Sequence, residues 1–565
     1  MILKQFRVRK GEKREMEKIR MIKKEPQDEV PCRKGCPAGI DVPKFIRLSE
    51  QGKFEEALAV IRENNPFPSV TGHTCLAFCE RKCRRGEIDA PVGINAIERF
   101  ITDQVNGKLT RKMGKRKSPG SLVGIVGSGP AGLTAAYYLA AQAGHSVTVF
   151  EEFPEVGGMM RYGIPFYRLP KEVLAYDVDY IKGIGINFRT NTKIESPDRL
   201  QKEGFDAVLW AAGAGQGYKL PIPGADLVGV LVGLPFLEAI VAGTEVKVGK
   251  KVVVLGGGNV AFDCARSAMR LGASNVRIIC LEPRDAMLAS RDEIEEAEEE
   301  GIVVHHSNTV KKIIGHNGRV MGVECVNIKT FWFDDRGKAH IDPVEGSEYI
   351  LPSDTVIFAV GQLPDLEPIR STNIKMTARG TIEIDPSYLS TSKKGVFVAG
   401  DVITGTSSII EAVAAGKKAA ISIDRFLGSN ILNFNNAISS EESSKWLGFD
   451  ERILDIGRLS QPVLHGKERT YNFDEVKLGY SKEMAKREIN RCLHCDQSIL
   501  LEVDIDKCTN CYTCQLTCSL VYQGMCNPEK ARILIGRDEI NYSSECVAGC
   551  SLCVQHCPQD ALLLK

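Results

Sequence analysis

The sequence lacks long hydrophobic runs, and its first residues do not resemble an apolar leader. No apolar segment approaches the length of about 18 residues that marks a membrane-spanning helix, so no membrane span is expected. The first twenty residues, MILKQFRVRKGEKREMEKIR, are charged throughout and have no apolar core of the kind found in secretory signals. These absences, together with the cysteine spacing described below, lead us to expect a cytoplasmic protein.

The sequence also lacks an excess of either charge. Its 73 Lys and Arg residues are balanced by 72 Asp and Glu residues, which leaves a net charge of +1. A phosphate-binding surface usually leaves a basic excess, so nucleic acid is not expected as the main partner. The composition, 43% hydrophobic and 26% charged, is ordinary for soluble globular proteins, and 565 residues allow about three to five domains.

Cysteine is scarce in the long middle of the chain and dense at its two ends. Of 19 cysteines, five lie between Cys32 and Cys83 and eleven between Cys492 and Cys557. A secreted disulfide protein would be shorter and would not confine its cysteines in this way, whereas spacings of two and three residues suit metal ligation in a reducing compartment. The three cysteines of the middle contain no Cys-x-x-Cys pair and are predicted to be small core residues. They are Cys264, Cys280 and Cys325.

A glycine-rich turn between a strand and a helix predicts a first dinucleotide-binding unit. The motif Gly127-x-Gly129-x-x-Gly132 follows the strand SLVGIVG and opens the helix AGLTAAYYLAAQAG. Glycines here permit a tight turn and close approach of the backbone to a pyrophosphate, which the N-terminus of the helix attracts. Glu151 ends the next strand, where its carboxylate would accept a hydrogen bond from a ribose hydroxyl.

A second turn of the same kind, Gly256-x-Gly258-x-x-Ala261, predicts a second unit. The strand–turn–helix–strand order is repeated, and the fingerprint tolerates Ala at the third position. The strand that follows ends at Glu282, whose carboxylate would repel a 2′-phosphate. We therefore expect NAD to be favoured over NADP, while Arg284, two residues further on, argues in the opposite direction.

A later segment indicates which turn holds a flavin. The strand GVFVAGD ends at Gly400 and Asp401, and the helix SSIIEAVAAGKKAA follows it. This segment resembles the second flavin signature of flavoproteins with two dinucleotide-binding domains, and the strands DAVLWAAGA (206–214) and DTVIFAVGQLPD (354–365) are similar to their crossover segments. The resemblance implies that Gly400 and Asp401 contact FAD, that the first turn holds FAD and that the second holds the nicotinamide coenzyme.

Five segments resemble the small subunit of glutamate synthase and its relatives. They are NPFPSVTGHTCLAFCERKCRRG (65–86), GSGPAGL (127–133), EVGGMMRYGIPFYRLPKEVL (155–174), GGGNVAFDCARSAMRLGA (256–273) and VFVAGD (396–401). Relatives include the large subunit of NADH-dependent ferredoxin:NADP oxidoreductase and the N-terminal half of dihydropyrimidine dehydrogenase. The resemblance covers about residues 31–430 and implies FAD, NAD(P) and two 4Fe–4S clusters near the N-terminus.

The resemblance also implies ligands for the first of these clusters. Carried over onto this chain, Cys36, Cys75 and Cys79 share one cluster, which we call cluster A. Glu98, in the segment INAIERF, stands where relatives use a Glu or Gln side chain as the fourth ligand.

The second cluster departs from the family pattern. Cys32 and Cys83 would be two of its ligands, but the Cys-x2-Cys pair that relatives carry before this point is absent. A similar phrase, AKREINRCLHCD, occurs at residues 485–496. We expect Cys492 and Cys495 to fold back and complete this cluster, which we call cluster B; the alternative is that they are spare thiols or belong to the C-terminal domain.

The last 65 residues carry two ferredoxin-like cysteine runs. The runs are Cys508-x2-Cys511-x2-Cys514-x3-Cys518 and Cys546-x3-Cys550-x2-Cys553-x3-Cys557. In two-cluster ferredoxins the fourth Cys of each run binds the other cluster. One cluster, cluster C, is therefore expected on Cys508, Cys511, Cys514 and Cys557, and cluster D on Cys518, Cys546, Cys550 and Cys553. Zinc is the alternative metal, and Cys526 is left over as a structural residue.

The predicted fold is α/β, with two Rossmann-like dinucleotide-binding domains between two iron–sulfur domains. Residues 1–30 are a charged tail, either a solvated helix or loose segment or a docking arm, and residues 31–117 an α-helical iron–sulfur domain. The FAD-binding domain comprises residues 118–245 and 355–430, and the NAD(P)H-binding domain residues 246–354. A linker with the Cys-x-x-Cys pair (431–500) leads to a ferredoxin-like domain with two 4Fe–4S clusters (501–565).

These parts predict a subunit of an NADH:acceptor oxidoreductase that exchanges electrons between NAD(H), FAD and four 4Fe–4S clusters. Flavin chemistry needs no side-chain acid or base, and none is predicted. The acceptor would be ferredoxin or a partner redox subunit, because CTNCYTCQLTCSLVYQGMCNPEKARI (508–533) resembles ferredoxin-type subunits that accompany tungsten aldehyde oxidoreductases. The alternatives are a glutamate synthase small subunit supplied by NAD(P)H and an electron-transfer scaffold without turnover.

Overall fold

The computed structural model describes most of the chain between residues 30 and 496 and parts of both ends. The described residues are 8–9, 19–24, 30–105, 120–334, 339–432, 457–466, 468–496, 499–504, 507–523, 525–527, 531, 533–535, 539–542, 552–559 and 561–564. No helix within these ranges is both long enough and apolar enough to cross a membrane.

Two short strands lie near the N-terminus, β1 (Val8–Arg9) and β2 (Ile19–Lys24). β2 pairs antiparallel with residues 499–504, so that Ile19 lies opposite Asp504, and β1 pairs with residues 539–542. The expectation of a solvated helix or loose tail in residues 1–30 is therefore wrong for these strands. An edge strand offers unpaired backbone N–H and C=O groups, and the N-terminal segment satisfies them at the C-terminal end of the chain.

A helical region follows, and its described helices lie within residues 31–105 of the predicted domain 31–117. Its helices are α1 (Pro31–Gly35), α2 (Val42–Glu50), α3 (Phe54–Arg62), α4 (Pro68–Thr74) and α5 (Ile94–Val105), with 3₁₀ turns at Glu80–Lys82 and Arg84–Glu87. Three of the helices carry proline in the first turn, where no intrahelical partner for the missing N–H is required. Cys36 and Cys75 directly follow α1 and α4, so helix ends present these sulfurs on loops.

The first α/β domain is built around the strand that precedes the first glycine turn. Its elements are β3 (Leu122–Val126), α6 (Pro130–Ala141), β4 (Ser146–Phe150), α7 (Met159–Tyr162), α8 (Lys171–Lys182), β5 (Asn187–Arg189), α9 (Pro197–Lys202), β6 (Ala207–Trp210) and β7 (Gln216–Gly217). β3 lies between β4 and β6 in a parallel sheet with a buried core on both sides.

The second α/β domain repeats this arrangement around the second glycine turn. Its elements are β8 (Val230–Val232), α10 (Gly233–Val241), β9 (Lys251–Leu255), α11 (Asn259–Arg270), β10 (Asn275–Ile279), α12 (Arg291–Glu299), β11 (Val303–His305), β12 (Asn308–His316), β13 (Arg319–Phe333), β14 (Ala339–Pro343), β15 (Tyr349–Pro352) and β16 (Thr355–Phe358). The parallel sheet has the order β11-β10-β9-β16-β8.

This sheet is wider than the predicted domain of residues 246–354. Both β8 and β16 belong to it, because β16 pairs with β9 on one side and with β8 on the other. The segment 354–365 therefore contributes its first strand, residues 355–358, to the coenzyme domain and not to the flavin domain. A strand of four buried residues, TVIF, fits either parallel sheet equally well, so only the pairing decides its membership.

The chain then returns to the first domain. The returning elements are β17 (Gln362–Leu363), α13 (Glu367–Arg370), β18 (Val396–Val398), α14 (Asp401–Thr404) and α15 (Ile409–Phe426). β18 pairs with β6, which completes the flavin-domain sheet. α15 packs closely on α6, since a Cβ added at Gly416 would lie 2.2 Å from the carbonyl oxygen of Ala131.

Residues 457–496 form a segment that we call the strap, and a small C-terminal domain follows it. The strap contains α16 (Lys482–Ile489), and the C-terminal elements are β19 (Ile499–Asp504), α17 (Thr513–Gln523), β20 (Ile533–Ile535), β21 (Glu539–Tyr542), α18 (Leu552–Gln555) and β22 (Leu562–Leu564). β19 lies between β2 and β22, and β20 pairs with β21.

Candidate flavin, coenzyme and cluster sites

The first glycine turn forms a cradle that backbone atoms close on one side. Gly127 has φ +97°, and a Cβ there would lie 2.3 Å from the carbonyl oxygen of Ala211. A Cβ at Gly132 would lie 2.1 Å from the carbonyl oxygen of Gly127, so helix α6 and the turn are in close contact. Gly129, which caps α6, faces open space instead. This open side, at a helix N-terminus, fits the pyrophosphate of a dinucleotide.

Glu151 lies against this turn. One carboxylate oxygen accepts hydrogen bonds from the backbone N–H of Ser128 at 3.0 Å and from its hydroxyl at 2.5 Å, and the other accepts one from the N–H of Phe153 at 3.0 Å. The Ser128 hydroxyl also accepts a hydrogen bond from the N–H of Gly157. Glu151 thus joins the glycine turn to the loop after β4. This loop forms the edge of the site at which a ribose would lie.

Gly400 and Asp401 stand beside the first turn. Gly400 has φ +80°, and a Cβ there would lie 3.0 Å from the Cβ of Ala131 on α6. The Asp401 carboxylate accepts a hydrogen bond from the Ser407 hydroxyl at 2.5 Å, and burial raises its pKa. Ser408 caps α15, which packs against the start of α6 where Gly416 meets Ala131.

The second turn has the same geometry as the first. Gly256 has φ +132°, and a Cβ there would lie 2.1 Å from the carbonyl oxygen of Ala359. Gly258 caps α11 and faces open space, and Ala261 is fully buried where the helix contacts the sheet. The turn therefore fits a second pyrophosphate, and its third position has room for a methyl group.

Glu282 lies directly beside the second turn, and Arg284 is turned away to another partner. A Cβ added at Gly257 would lie 2.4 Å from Oε2 of Glu282. The Arg284 guanidinium forms an ion pair with Glu298 of α12, with Nη2 2.7 Å from Oε2. The charge beside the turn is thus the carboxylate of Glu282. The neighbouring cation, Arg284, is paired with a different carboxylate, that of Glu298.

A buried charge cluster joins the two α/β domains, and sequence reasoning missed it. Arg168 of the flavin domain donates to both carboxylate oxygens of Asp263 on α11, at 3.0 and 2.8 Å, and forms an ion pair with Glu293 on α12 at 2.8 Å. The neighbouring cations hold the pKa of Glu293 at about 2 against the effect of burial. These contacts fix the helix of the second turn relative to the flavin domain.

The structure brings the expected ligands of cluster A together in the helical domain. The pKa of Cys75 is raised first by burial, and Glu98 and Cys36 raise it further. The pKa of Cys79 is likewise raised by burial and then by Cys75. Ala77 has φ 50°, which lets the chain turn sharply between Cys75 and Cys79.

Glu98 is held by two buried polar side chains. Its Oε1 accepts hydrogen bonds from the Thr71 hydroxyl at 2.7 Å and from the Asn65 amide at 3.4 Å. Burial raises the pKa of Glu98 to about 7. Thr71 and Asn65, which sequence reasoning did not single out, thus fix the orientation of this carboxyl group among the three cysteines.

Four cysteines from opposite ends of the sequence meet at a second place in the helical domain. The pKa of Cys32 is raised well above its usual value by burial, and the thiols of Cys492, Cys495 and Cys83 raise it further. The pKa of Cys495 is raised to about 12, by burial and by Cys83. These are the four side chains expected to hold cluster B.

The strap reaches this place through a buried ion network. Arg491, immediately before Cys492, is fully buried and forms an ion pair with Glu488 at 2.6 Å and with Asp89 at 3.0 Å, 402 residues earlier. It also donates to the carbonyl oxygen of Ala90 at 2.6 Å. Glu488 in turn accepts from the backbone N–H of Gly93 at 2.7 Å. The predicted linker is therefore a fixed part of the helical domain at this end.

The strap also contacts the coenzyme domain on its way. Arg469 is fully buried and forms an ion pair with Glu299 at 2.5 Å, and Lys477 forms one with Asp292 at 2.7 Å. Nearer the start of the strap, Arg458 forms an ion pair with Glu80 of the helical domain at 2.6 Å. The strap thus ties α12 to the helical domain before it presents its two cysteines.

In the C-terminal domain, the structure brings the expected ligands of cluster C around one cavity. Cys508, Cys511, Cys514 and Cys557 all line this cavity. The pKa of Cys514 is raised to about 11, first by burial and then by Cys557, Cys508 and Cys511. The four thiols therefore meet from both cysteine runs, as the crossed pattern of two-cluster ferredoxins requires.

The expected ligands of cluster D are described only in part. Cys518 and Cys553 are buried, whereas Cys546 and Cys550 lie outside the described residues. Cys526 is exposed. In the parts of the chain that the structure describes, no three His, Cys, Asp or Glu side chains converge on a point suited to one metal ion. The ligands of a four-iron cube bind four separate corners and need not converge in that way.

The grouped, half-buried thiols fit iron–sulfur clusters in their donor chemistry. Metal-bound cysteine is a thiolate, and burial beside other thiols disfavours that charge, as the raised pKa values of Cys32, Cys79 and Cys492 show. A bound cluster supplies the compensating positive charge. The glycine cradles fit dinucleotides for the geometric reasons given above. Cys264, Cys280 and Cys325 are buried in the coenzyme domain, as expected of core residues.

Known proteins share this combination of domains. Residues 122–418 match the pyridine nucleotide-disulphide oxidoreductase family, and residues 19–109 match the dihydropyrimidine dehydrogenase domain II, 4Fe-4S cluster family. The chain is 36% identical over 506 residues to the NADP(+)-dependent formate dehydrogenase subunit beta of Moorella thermoacetica, which covers 82% of this chain and 70% of that protein.

Two further relatives extend the comparison. The NADPH-Fe(3+) oxidoreductase subunit beta of Geobacter sulfurreducens is 34% identical over 509 residues, covering 82% of this chain and 75% of that protein. The glutamate synthase [NADPH] small chain of Escherichia coli K12 is 32% identical over 420 residues, covering 70% of this chain and 88% of that protein.

The fold and its sites define a flavin-dependent pyridine-nucleotide oxidoreductase that carries iron–sulfur centres. The chain belongs to the pyridine nucleotide-disulphide oxidoreductase family. The resemblance to the glutamate synthase small subunit, the α/β fold class and the function of electron exchange between NAD(P)(H), FAD and 4Fe–4S centres are thereby confirmed.

Proposed function

We propose that this chain is the NADH-linked electron-transfer subunit of a larger cytoplasmic redox complex. FAD, when bound at the first turn, supplies the exchange between two-electron transfer with the coenzyme and one-electron transfer with the clusters. The residues of the chain hold the two dinucleotides, fix the two α/β domains through Arg168, and bind the clusters that lead to the partner. The observation that carries the proposal is that the half-buried Cys492 and Cys495 lie beside Cys32 and Cys83.

The coenzyme proposed is NAD(H), in contrast to the NADP(+) and NADPH in the names of the relatives. The support is the position of Glu282 beside the second turn, where its charge opposes a 2′-phosphate. The ion pair of Arg284 with Glu298 adds to this, because this neighbouring cation already has a carboxylate partner. FAD binding is assigned to the first turn, with Glu151 and Asp401 beside it.

Four clusters are proposed, each a 4Fe–4S cube. Their ligands are Cys36, Cys75, Cys79 and Glu98 for cluster A; Cys32, Cys83, Cys492 and Cys495 for cluster B; Cys508, Cys511, Cys514 and Cys557 for cluster C; and Cys518, Cys546, Cys550 and Cys553 for cluster D. Electrons pass between the flavin and cluster A, then cluster B, and then the C-terminal domain. The strap supports this order, since the residues after Cys495 lead directly into β19 of that domain.

The partner proposed is another redox subunit that exchanges electrons with the C-terminal domain. The relatives are named as beta subunits or a small chain, and the ferredoxin-like phrase 508–533 resembles subunits that accompany tungsten aldehyde oxidoreductases. A second candidate partner is another subunit of a formate dehydrogenase, because the Moorella relative is named as the beta subunit of such an enzyme. Anaerobic purification of the native complex identifies the partner by the polypeptides that copurify.

The double variant Cys492→Ala with Cys495→Ala tests the proposed electron path. We expect it to lose about four iron atoms and to lower NADH-driven reduction of viologen at least about tenfold. NADH should still reduce the flavin, because both glycine turns are unchanged. Cys526→Ala is the matched control, since this cysteine is exposed and is assigned to no cluster, and it should retain all iron and all electron output.

Two results would contradict the proposal in different ways. Full viologen reduction by the double variant would exclude cluster B from the electron path. A wild-type protein whose flavin NADH does not reduce would remove the oxidoreductase function with NADH altogether, and efficient reduction by NADPH in its place would correct the coenzyme alone.

A further inference from the structure

A buried lysine connects the flavin domain to the loop that carries Cys36. Lys417 lies on α15, the helix whose N-terminus opens beside Asp401, and only 8% of its surface is exposed. The preceding residue, Gly416, is the point at which α15 touches the first turn of α6. Lys417 thus extends from the helix that flanks the flavin site.

The ammonium group of Lys417 reaches across the domain boundary. It donates hydrogen bonds to the carbonyl oxygen of Ala38 at 3.4 Å and to the side-chain oxygen of Asn64, both in the helical domain. Ala38 belongs to the short loop after Cys36, and the backbone N–H groups of Ala38, Gly39 and Ile40 hydrogen-bond to the Cys36 sulfur. Lys417 therefore supports the loop that surrounds this sulfur.

Lys417 also interacts electrostatically with Cys36 itself. Burial, with a smaller contribution from Arg33, lowers the pKa of Lys417 to about 8, while Cys36 and Glu63 act in the opposite direction and favour the charged form. The cost of burying an ammonium group is high unless negative charge lies nearby. Beside the neutral oxygens of Ala38 and Asn64, the negative charge that favours this cation comes from Cys36 and Glu63, and a cluster bound through Cys36 would add to it.

We propose that Lys417 raises the reduction potential of cluster A and so favours transfer of an electron from the flavin to this cluster. The proposal rests on the ligand set assigned above to Cys36, Cys75, Cys79 and Glu98. In the step concerned, one electron leaves the reduced flavin and enters the cluster, whose net charge becomes more negative by one. No bond forms or breaks at Lys417, and its positive charge stabilises the more negative, reduced state.

The physical reason is the position of the charge. A cation in a buried, low-dielectric region is weakly screened, so its effect on a nearby change of charge is larger than at the surface. Hydrogen bonds and charge around the ligand sulfurs are among the means by which a protein sets the potential of an iron–sulfur cluster. Lys417 contributes both, through its charge and through the Cys36 loop.

The neighbouring lysine provides a matched control. Lys418 lies on the same helix, is exposed, and donates to the carbonyl oxygen of Pro386 at 2.6 Å, within the flavin domain. Lys417→Met and Lys418→Met therefore remove the same charge from adjacent positions, one facing the Cys36 loop and one facing elsewhere. Lys417→Arg keeps the charge, and Lys417→Gln removes it while keeping a hydrogen-bond donor.

The test is a potentiometric titration of the full-length protein followed by electron paramagnetic resonance. We expect the midpoint potential of cluster A to become more negative in Lys417→Met and Lys417→Gln, and to stay near the wild-type value in Lys417→Arg and Lys418→Met. If Lys417→Met loses iron, the potential of cluster A in Lys417→Gln is used to test the proposal instead. Unchanged potential in a neutral variant that retains its iron, or an equal shift in Lys418→Met, would overturn the role of Lys417.

The signal of cluster A is identified by its loss in Cys75→Ala. If that variant retains every cluster signal, the ligand set of cluster A is wrong and the inference about Lys417 falls with it. If the signal is lost in Cys75→Ala but its potential is unmoved in Lys417→Gln, the ligand set stands and only the role of Lys417 is overturned.

Discussion

At the scale of single residues, the proposed preference for NAD(H) depends on one carboxylate. Glu282 lies beside Gly257 in the second turn, and Arg284, two residues further along the chain, is paired with Glu298. A 2′-phosphate placed here would meet the negative charge of Glu282 and a cation that already has a carboxylate partner. The ribose hydroxyls of NAD(H), by contrast, can donate to the same carboxylate.

The variant Glu282→Arg reverses this charge. We expect the preference for NADH over NADPH, measured as the ratio of kcat/KM values for flavin reduction, to fall at least about tenfold, or ~1.4 kcal/mol. Asp285→Arg is the matched control: it makes the same change of charge three residues away, at an exposed position, and should alter the ratio less. A wild-type ratio that already favours NADPH, or a ratio unmoved by Glu282→Arg, would contradict the assignment.

The residues that sequence reasoning identified and those it missed differ in how far their partners lie along the chain. Gly127 and Gly256 were predictable because their roles follow from the neighbouring strand and helix. Lys417 was not, because its partners Ala38 and Asn64 lie more than three hundred residues earlier and carry no motif. The proposed NAD preference could be predicted because Glu282 ends a strand that the sequence reveals. The pairing of Arg284 with Glu298 could not, because it depends on where α12 packs.

At the scale of elements, the strap decides how the two ends of the chain are joined. Its polar sequence suggests a linker, yet Arg491, Glu488 and Arg469 are all fully buried in ion pairs or hydrogen bonds. Each partner outside the strap belongs to an element that is distant in sequence. The pattern of charges alone could not show this, since a run of charged residues usually lies on a solvated face.

Removal of the buried charge of Arg491 should release α16. Arg491→Met leaves Asp89 and Glu488 without this partner, and loss of one member of a buried pair typically costs about 3–5 kcal/mol. We expect faster hydrogen exchange in residues 482–492, measured by mass spectrometry. Arg487→Met, at an exposed position on the same helix, is the control and should leave exchange nearly unchanged. Equal protection in both variants would show that the network does not hold the strap.

The domain boundaries likewise depend on tertiary contacts that the sequence pattern does not reveal. The strand TVIF (355–358) has only buried residues, so its sequence does not reveal which of two parallel sheets it enters, and the structure assigns it to the coenzyme domain. The N-terminal strand β2 has no sequence signal for its partner β19, almost five hundred residues away. Local periodicity predicts that a strand exists, whereas its pairing depends on tertiary contacts.

At the scale of the whole molecule, the chain folds back on itself twice. β2 carries the N-terminus to the C-terminal domain, and the strap carries the C-terminal side back to the helical domain. The two cysteine-rich ends are therefore joined both by a sheet and by the proposed cluster B. In the proposed scheme, this arrangement would give one route from the flavin, through clusters A and B, to the clusters of the C-terminal domain.

The number of iron atoms per flavin tests this account most directly. Fifteen cysteines and Glu98 make four complete ligand sets only if Cys492 and Cys495 join Cys32 and Cys83. Protein reconstituted anaerobically with iron and sulfide, assayed for iron and for released FAD, should contain about 16 iron atoms per FAD, four for each cube. A ratio of about 12 in protein that retains clusters A, C and D would contradict the account, because cluster B would then not exist.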